Sequence, residues 1–291
     1  MDFAQKKLLF DKFSGYTPTW CPGCGDWGIV RAIKKSLAEQ GFSPSDVLIA
    51  FDIGCSGNMN DFLNSYSTHT LHGRSIATAV GMKLAQPNRQ VMVIGGDGAL
   101  YGEGGNHFLH ACRGNHDLTV IVHDNKVYGL TKGQVSPSAY QGYRSTSTPG
   151  GIIEVAANPL ALAITQGATF VAQSFAGKSD HVCEMITKAM QHKGFALVNI
   201  LQPCVTFNKV NTYHYFMERT YHLDKEYDST NQASAITKSL ESQKEKFPLG
   251  VLFQDFTKKP YHELLNDGKP QNELVLRDRF TDFGTLIDKY V

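Results

Sequence analysis

The chain has 291 residues, 42% hydrophobic and 19% charged, an ordinary globular composition on a length that can bury a full core. Its formal net charge of +1 gives no electrostatic reason to expect nucleic acid or an anionic membrane as partner. No apolar run approaches the roughly 18 residues that would span a bilayer, and none follows the basic pair Lys6-Lys7, so no signal peptide is read and the cytoplasm is the expected location.

Residues 1–25 are rich in Gly and Pro, carry the first cysteine pair and are set apart as an N-terminal segment. The spacing of Ile29, Val30, Ile33 and Leu37 is near 3.6 and predicts a helix. A strand follows at Val47-Leu48-Ile49-Ala50-Phe51, then a helix from Ser75 to Ala85. Further strands are predicted over residues 90–94, 118–122 and 196–201, with a helix over 180–190. Continuous apolar strands alternating with helices predict an α/β fold over residues 26–204, a doubly wound, mostly parallel sheet with right-handed crossovers. Residues 205–291 are more charged. They are read as a C-terminal extension outside the core, with a helix over 233–246, a strand over 249–253 and a polar tail.

Two strand ends carry the first chemical signal. Val93-Ile94-Gly95-Gly96-Asp97-Gly98 closes one strand, and Val122-His123-Asp124-Asn125-Lys126-Val127 closes the next. Open parallel sheets bind ligands beyond the carboxyl ends of their strands, and neighbouring strands lie about 4.8 Å apart. If these two are neighbours, Asp97, Asn125 and the Val127 carbonyl form a hard oxygen set suited to Mg²⁺, completed by phosphate oxygens and water. Gly96 and Gly98 would let the backbone approach the phosphates. Gly-Asp-Gly followed at this distance by Asn resembles the thiamine-diphosphate signature, although Ala99 stands where relatives often have a second acid.

A reducing compartment disfavours disulfides, so ligation or burial is expected of the six cysteines. Cys21 and Cys24 form a Cys-x-x-Cys in a tight turn, and Cys55 and Cys204 each follow a predicted strand. All four are therefore expected at one sheet edge. From spacing alone Zn²⁺ and a 4Fe–4S cluster both remain open. Cys112 and Cys183 fall inside predicted helices and read as buried small hydrophobes.

Taken together, the motifs resemble one family. Trp20-Cys21-Pro22-Gly23-Cys24-Gly25, Ile53-Gly54-Cys55-Ser56, Leu71-His72-Gly73-Arg74, Tyr128-Gly129-Leu130-Thr131-Lys132-Gly133-Gln134 and Gln202-Pro203-Cys204 look like the beta subunits of 2-oxoacid:ferredoxin oxidoreductases. The resemblance spans about Trp20 to Gly250. It implies a 4Fe–4S cluster at Cys21, Cys24, Cys55 and Cys204, thiamine diphosphate with Mg²⁺, a 2-oxoacid substrate, coenzyme A and ferredoxin. It also implies cofactor contacts at Ile53, Gly54, Cys55, Ser56, His72, Gly129, Leu130 and Thr131.

Thiamine enzymes need a Glu against the aminopyrimidine, and the resemblance implies that the alpha subunit supplies it. Coenzyme A is expected mainly on that partner too, and the assembly is expected to be a dimer of alpha–beta heterodimers. No Gly-x-Gly-x-x-Gly follows a strand and no Walker sequence is present, so nucleotide cofactors are unsupported. A non-oxidative thiamine decarboxylase and a non-catalytic zinc subunit are the competing readings. Lys132 lies seven residues past Asn125, where the resemblance puts a small residue in pyruvate-type enzymes. A cation there predicts a second carboxylate on the substrate, hence 2-oxoglutarate.

Overall fold

The computed structural model describes residues 1–265 and 287–288. The chain begins with α1 (Phe3–Lys12), α2 (Asp26–Glu39), β1 (Val47–Phe51), α3 (Met59–Phe62), β2 (Tyr66–His69), α4 (Ser75–Ala85) and β3 (Gln90–Gly96). A wide π-helical turn (Gly98–Glu103) leads into α5 (Gly105–Gly114) and β4 (Leu118–Asp124). The short hairpin of β5 (Val127–Tyr128) and β6 (Gln134–Val135) follows, then α6 (Pro159–Gln166), β7 (Phe170–Phe175), α7 (Ser179–Gln191) and β8 (Phe195–Leu201). The last elements are α8 (Tyr213–Arg219), β9 (Thr220–His222), α9 (Gln232–Ser239), β10 (Phe247–Gln254) and α10 (Tyr261–Leu264).

Eight strands form one sheet in the order β2-β1-β3-β4-β8-β7-β10-β9. The six from β2 to β7 are mutually parallel, β10 runs antiparallel to β7, and β9 runs parallel to β10. The predicted α/β class and mostly parallel sheet are what the chain adopts.

Period-two alternation deals each strand's side chains to two faces. On β3, Met92 and Ile94 join the core under α2 and α7, while Val91 and Val93 join the core under α4, α5 and α6. Each fully buried Val, Leu or Ile contributes roughly 1.5–3 kcal/mol. Covering both faces is why these strands read as unbroken apolar runs.

Two expectations need correction. The helix read over 233–246 is shorter. Asn231 caps α9 by accepting from the Ser234 amide at 3.0 Å, and the helix ends at Ser239. A 3-10 turn over Leu240–Lys244 follows and closes on Glu245 with φ 57°, a left-handed residue that redirects the chain into β10. Residues 205–291 also do not stand wholly outside the core. β10 pairs along β7 and places Leu252 and Phe253 in the second core, because β7 would otherwise be an open edge. At the other end, Phe13, Trp20 and Cys24 anchor residues 1–25 in the first core. The polar tail lies outside the described residues, apart from 287–288.

Candidate active site

The carboxyl ends of β1, β3, β4 and β8 open on one edge of the sheet. Gly96 on β3 pairs with His123 on β4, so Asp97 and the Asp124-Asn125 pair leave adjacent strand ends, as the spacing predicts. Asp97 is 1% exposed, and its Oδ2 accepts the hydroxyls of Ser136 and Ser138, each at 2.5 Å. The Ser138 hydroxyl also lies 2.7 Å from Asp124 Oδ1. Burial, and then the neighbouring Asp124, push the Asp97 carboxyl up to about 6, while Ser136, Ser138 and Lys126 pull it down. Buried carboxylates this close call for a cation.

Asn125 is buried, and its Oδ1 accepts from the Val127 amide at 3.0 Å, which leaves that oxygen a second lone pair. Asn208 braces the turn by donating to the Asn125 carbonyl at 3.0 Å. Lys126, with φ 62°, sends its ammonium inward to Asp124 (3.4 Å) and the Ser138 carbonyl (3.2 Å). Gly98 has no room for a side chain: a Cβ there would stand 2.3 Å from the Tyr128 ring.

Cys21, Cys24, Cys55 and Cys204 line one cavity of about 270 Å³, together with Asp26, Asn125, Gly129 and Leu130. Three contacts draw the loops together. The Trp20 indole donates to the Cys55 carbonyl at 2.7 Å, the Gly25 amide donates to the Pro203 carbonyl at 3.3 Å, and Gln202 Nε2 lies 3.2 Å from Cys24 Sγ. Gly25 must be glycine, since a Cβ would meet Gln202 Cγ at 2.6 Å. Burial first, then the charge of Asp26, raises the Cys24 thiol well above its usual range, and the same causes with Cys204 and Cys21 push Cys55 up to about 12. Thiols raised by burial and each other's charge are the groups a bound positive centre would ionise. Gln202 Oε1 and His123 Nε2 are buried without a hydrogen-bond partner, and His123 Nδ1 meets Asp26 at 2.6 Å. Cys112 and Cys183 sit in α5 and α7, buried in the two cores and outside this cavity.

His72 is held between two carboxylates, Asp52 at 3.1 Å from Nδ1 and Glu103 at 3.5 Å from Nε2. Asp52 was not singled out from the sequence, yet it organises this corner. It is fully buried and accepts from the Gly73 amide at 2.8 Å, the Ser75 amide at 3.2 Å and the Ser75 hydroxyl at 2.6 Å. Glu103, missed as well, accepts the Tyr128 hydroxyl. Ile53 is exposed, Gly54 has φ 135°, and Ser56 is buried with its hydroxyl turned towards Gly96. Leu130 and Thr131 are exposed in the hairpin turn, where Thr131 donates to Gln134. Lys132 is exposed beside them in left-handed backbone (φ 77°), with no ion pair among the described residues.

Residues 52–200 match the model for the thiamine pyrophosphate enzyme C-terminal TPP-binding domain, and residues 204–269 match the C-terminal part of the pyruvate ferredoxin oxidoreductase beta subunit. The chain is 42% identical over 262 residues to 2-oxoacid:ferredoxin oxidoreductase 1 subunit beta of Aeropyrum pernix, covering 86% of this chain and 82% of that one. The chain is a 2-oxoacid:ferredoxin oxidoreductase beta subunit. A second relative, 2-oxoglutarate synthase subunit KorB of Methanocaldococcus jannaschii, is 37% identical over 221 residues, covering 73% of this chain and 82% of its own. A solved 2-oxoglutarate:ferredoxin oxidoreductase from Magnetococcus marinus, with 2-oxoglutarate, coenzyme A and succinyl-CoA bound, superposes with a TM-score of 0.89 at 36% identity. It covers 99% of this chain and 97% of the other.

As an oxidoreductase beta subunit, the chain carries a thiamine-diphosphate-binding domain and by its kind pairs with an alpha subunit. The residues present fit the cofactor's cation, because the buried Asp97 carboxylate has one oxygen that receives no hydrogen bond among the described residues. Among the described residues no helix is long and apolar enough to cross a membrane.

Proposed function

We propose that this beta subunit, with its alpha subunit, oxidatively decarboxylates 2-oxoglutarate with coenzyme A in the cytoplasm. The electrons pass through a 4Fe–4S cluster to ferredoxin. Bound thiamine diphosphate supplies the electron sink for loss of carbon dioxide, and the cluster supplies a low-potential one-electron acceptor. The observation that carries the reading is the shared cavity: Asn125, Gly129 and Leu130, from the cofactor loops, line it with all four cysteines.

Asp97 Oδ1, Asn125 Oδ1 and the Val127 carbonyl are the oxygens offered to Mg²⁺. Cys21, Cys24, Cys55 and Cys204 are the thiolates offered to the cluster. A cluster is preferred to Zn²⁺ because the family oxidises its substrate, which calls for an electron acceptor that Zn²⁺ cannot provide. His72, held between Asp52 and Glu103, is the side chain assigned to the cofactor's edge. Ile53, Leu71, Leu130 and Phe207 are exposed apolar side chains on the loops framing the site, which supports a partner covering this face. That partner is the alpha subunit, bringing the aminopyrimidine Glu and most of the coenzyme A contacts, in a two-fold dimer of heterodimers.

Lys132 is the unpaired cation assigned to the distal carboxylate of 2-oxoglutarate. A charge-assisted hydrogen bond there is worth about 1.5–3 kcal/mol, or roughly a tenfold to hundredfold preference. The test is kcat/KM of the alpha–beta complex for 2-oxoglutarate and for pyruvate, in wild type and Lys132→Ala. The ratio should fall towards unity in the variant. An unmoved ratio contradicts the assignment whatever happens to overall activity.

A further inference from the structure

Asp97 has one carboxylate oxygen engaged and one free. Oδ2 receives Ser136 and Ser138, and no hydrogen bond reaches Oδ1 among the described residues. Both serines are 1% exposed, so their hydroxyls do not turn to solvent. Ser138 has one proton to give and two carboxylates within reach, Asp97 and Asp124. Asp124 already has Lys126 Nζ at 3.4 Å and Asn199 Nδ2 at 3.2 Å, so the Ser138 proton is better spent on Asp97. The segment between the serines is held from several sides. Pro137 fixes its own φ, its carbonyl accepts from the Ala157 amide at 2.8 Å, and the Ser138 carbonyl accepts from Lys126 at 3.2 Å.

The geometry points to Ser136 and Ser138 as positioning residues that make Asp97 a one-oxygen ligand and thereby set the preference for Mg²⁺ over Ca²⁺. This rests on the Mg²⁺ and thiamine diphosphate reading given above. Mg²⁺ demands an octahedron with oxygens at about 2.0–2.1 Å, whereas Ca²⁺ takes about 6–8 oxygens at 2.3–2.6 Å and readily uses both oxygens of one carboxylate. Offering Oδ2 as well would require Asp97 to turn and give up two buried hydroxyl bonds. The serines oppose that turn, so they penalise the larger ion and leave the smaller one its single oxygen. Outer partners of a ligating carboxylate act in this way on both orientation and affinity.

The test is calorimetric binding of Mg²⁺ and, separately, Ca²⁺ to the alpha–beta complex in the presence of thiamine diphosphate. Wild type, Ser136→Ala, Ser138→Ala, the double alanine variant and the double threonine variant are compared. In the double alanine variant Mg²⁺ affinity should fall roughly 10–100-fold. Ca²⁺ affinity should fall less, so that the Mg²⁺/Ca²⁺ ratio narrows at least about fivefold. Threonine, which keeps the hydroxyls, should hold the ratio near the wild-type value. If the double alanine variant does not fold, the single variants decide, each narrowing the ratio. Equal losses for the two ions would mean that the serines only brace the loop, and would overturn the proposal while leaving the functional reading intact. A wild-type complex that binds neither ion with thiamine diphosphate would overturn both.

Discussion

Cys55 and Cys204 meet at Gly129: each Sγ lies 3.5 Å from the point where Gly129 would carry a Cβ. Their loops leave β1 and β8, on either side of β3 and β4, whose ends carry Asp97 and Asn125. The cysteine cavity and the cofactor loops are thus one structure. Gly129 is the residue between them, three positions before Lys132.

Replacing Gly129 with valine tests what fills that space. Its φ is not in the left-handed region, so a side chain there meets no left-handed strain. The added methyls would project between the two sulfurs. Iron per complex should fall in Gly129→Val. Full iron content in the variant would place the cluster elsewhere.

The six cysteines should divide four to two. Serine at position 21, 24, 55 or 204 should each cost iron, with the visible absorption falling in step. Cys112→Ala and Cys183→Ala, which remove thiols buried in helices α5 and α7, should keep both. Alanine is chosen because a serine hydroxyl buried there would cost about 1–3 kcal/mol on its own account. Loss of iron in Cys112→Ala with retention in Cys204→Ser would show the ligand set to be wrong.

Trp20→Phe isolates the contact that ties the N-terminal turn to the Cys55 loop. Phenylalanine keeps edge packing against Phe62, whose ring lies 5.0 Å from that of Trp20, but loses the 2.7 Å bond to the Cys55 carbonyl. Such a bond contributes about 0.5–1.5 kcal/mol, so iron should leave to a chelator roughly two- to tenfold faster. An unchanged rate would mean that this bond does not help hold the cysteines in place.

Much of the sheet was legible because strands covered on both faces leave unbroken apolar runs, as in β1, β3, β4 and β8. β7 escaped notice because Gln173 and Ser174 interrupt it. Both are buried, but Gln173 is paired with Asn199 and the Pro248 carbonyl, and Ser174 with His181. β2 is short, polar and at the sheet edge, where nothing requires an apolar pattern. At the site, Asp97, Asn125 and the cysteines were legible from their places at strand ends. Ser136 and Ser138 were not, since what gives them meaning is a carboxylate 39 and 41 residues away. Asp52 ended a strand in plain view, but its bonds to the 72–75 loop depend on how that loop folds back.

The Asp97 carboxyl gives the site a pH dependence with a definite sign. It keeps its proton up to about 6 in the folded chain, against 3.8 ordinarily. Between those values the folded chain binds more protons than the unfolded one, so this group's contribution to stability falls as pH rises through that window. A cation at Oδ1 needs the ionised form, so Mg²⁺ affinity with thiamine diphosphate should weaken by up to about tenfold per pH unit below that point. Titration of the complex at pH values on both sides of about 6 checks this, with Asp97→Asn showing no such step. A flat profile in wild type would contradict the assignment of Asp97.

The most direct test of the whole account is spectroscopic. The anaerobic alpha–beta complex, loaded with thiamine diphosphate and Mg²⁺ but without ferredoxin, is mixed with 2-oxoglutarate and coenzyme A, and the visible absorption expected of the proposed iron–sulfur cluster is followed. The account predicts that the absorption bleaches in wild type. Asp97→Ala should show unchanged iron and no bleaching, because the cofactor is no longer held. A wild-type complex that contains no iron, or whose absorption does not change on addition of 2-oxoglutarate, would contradict it.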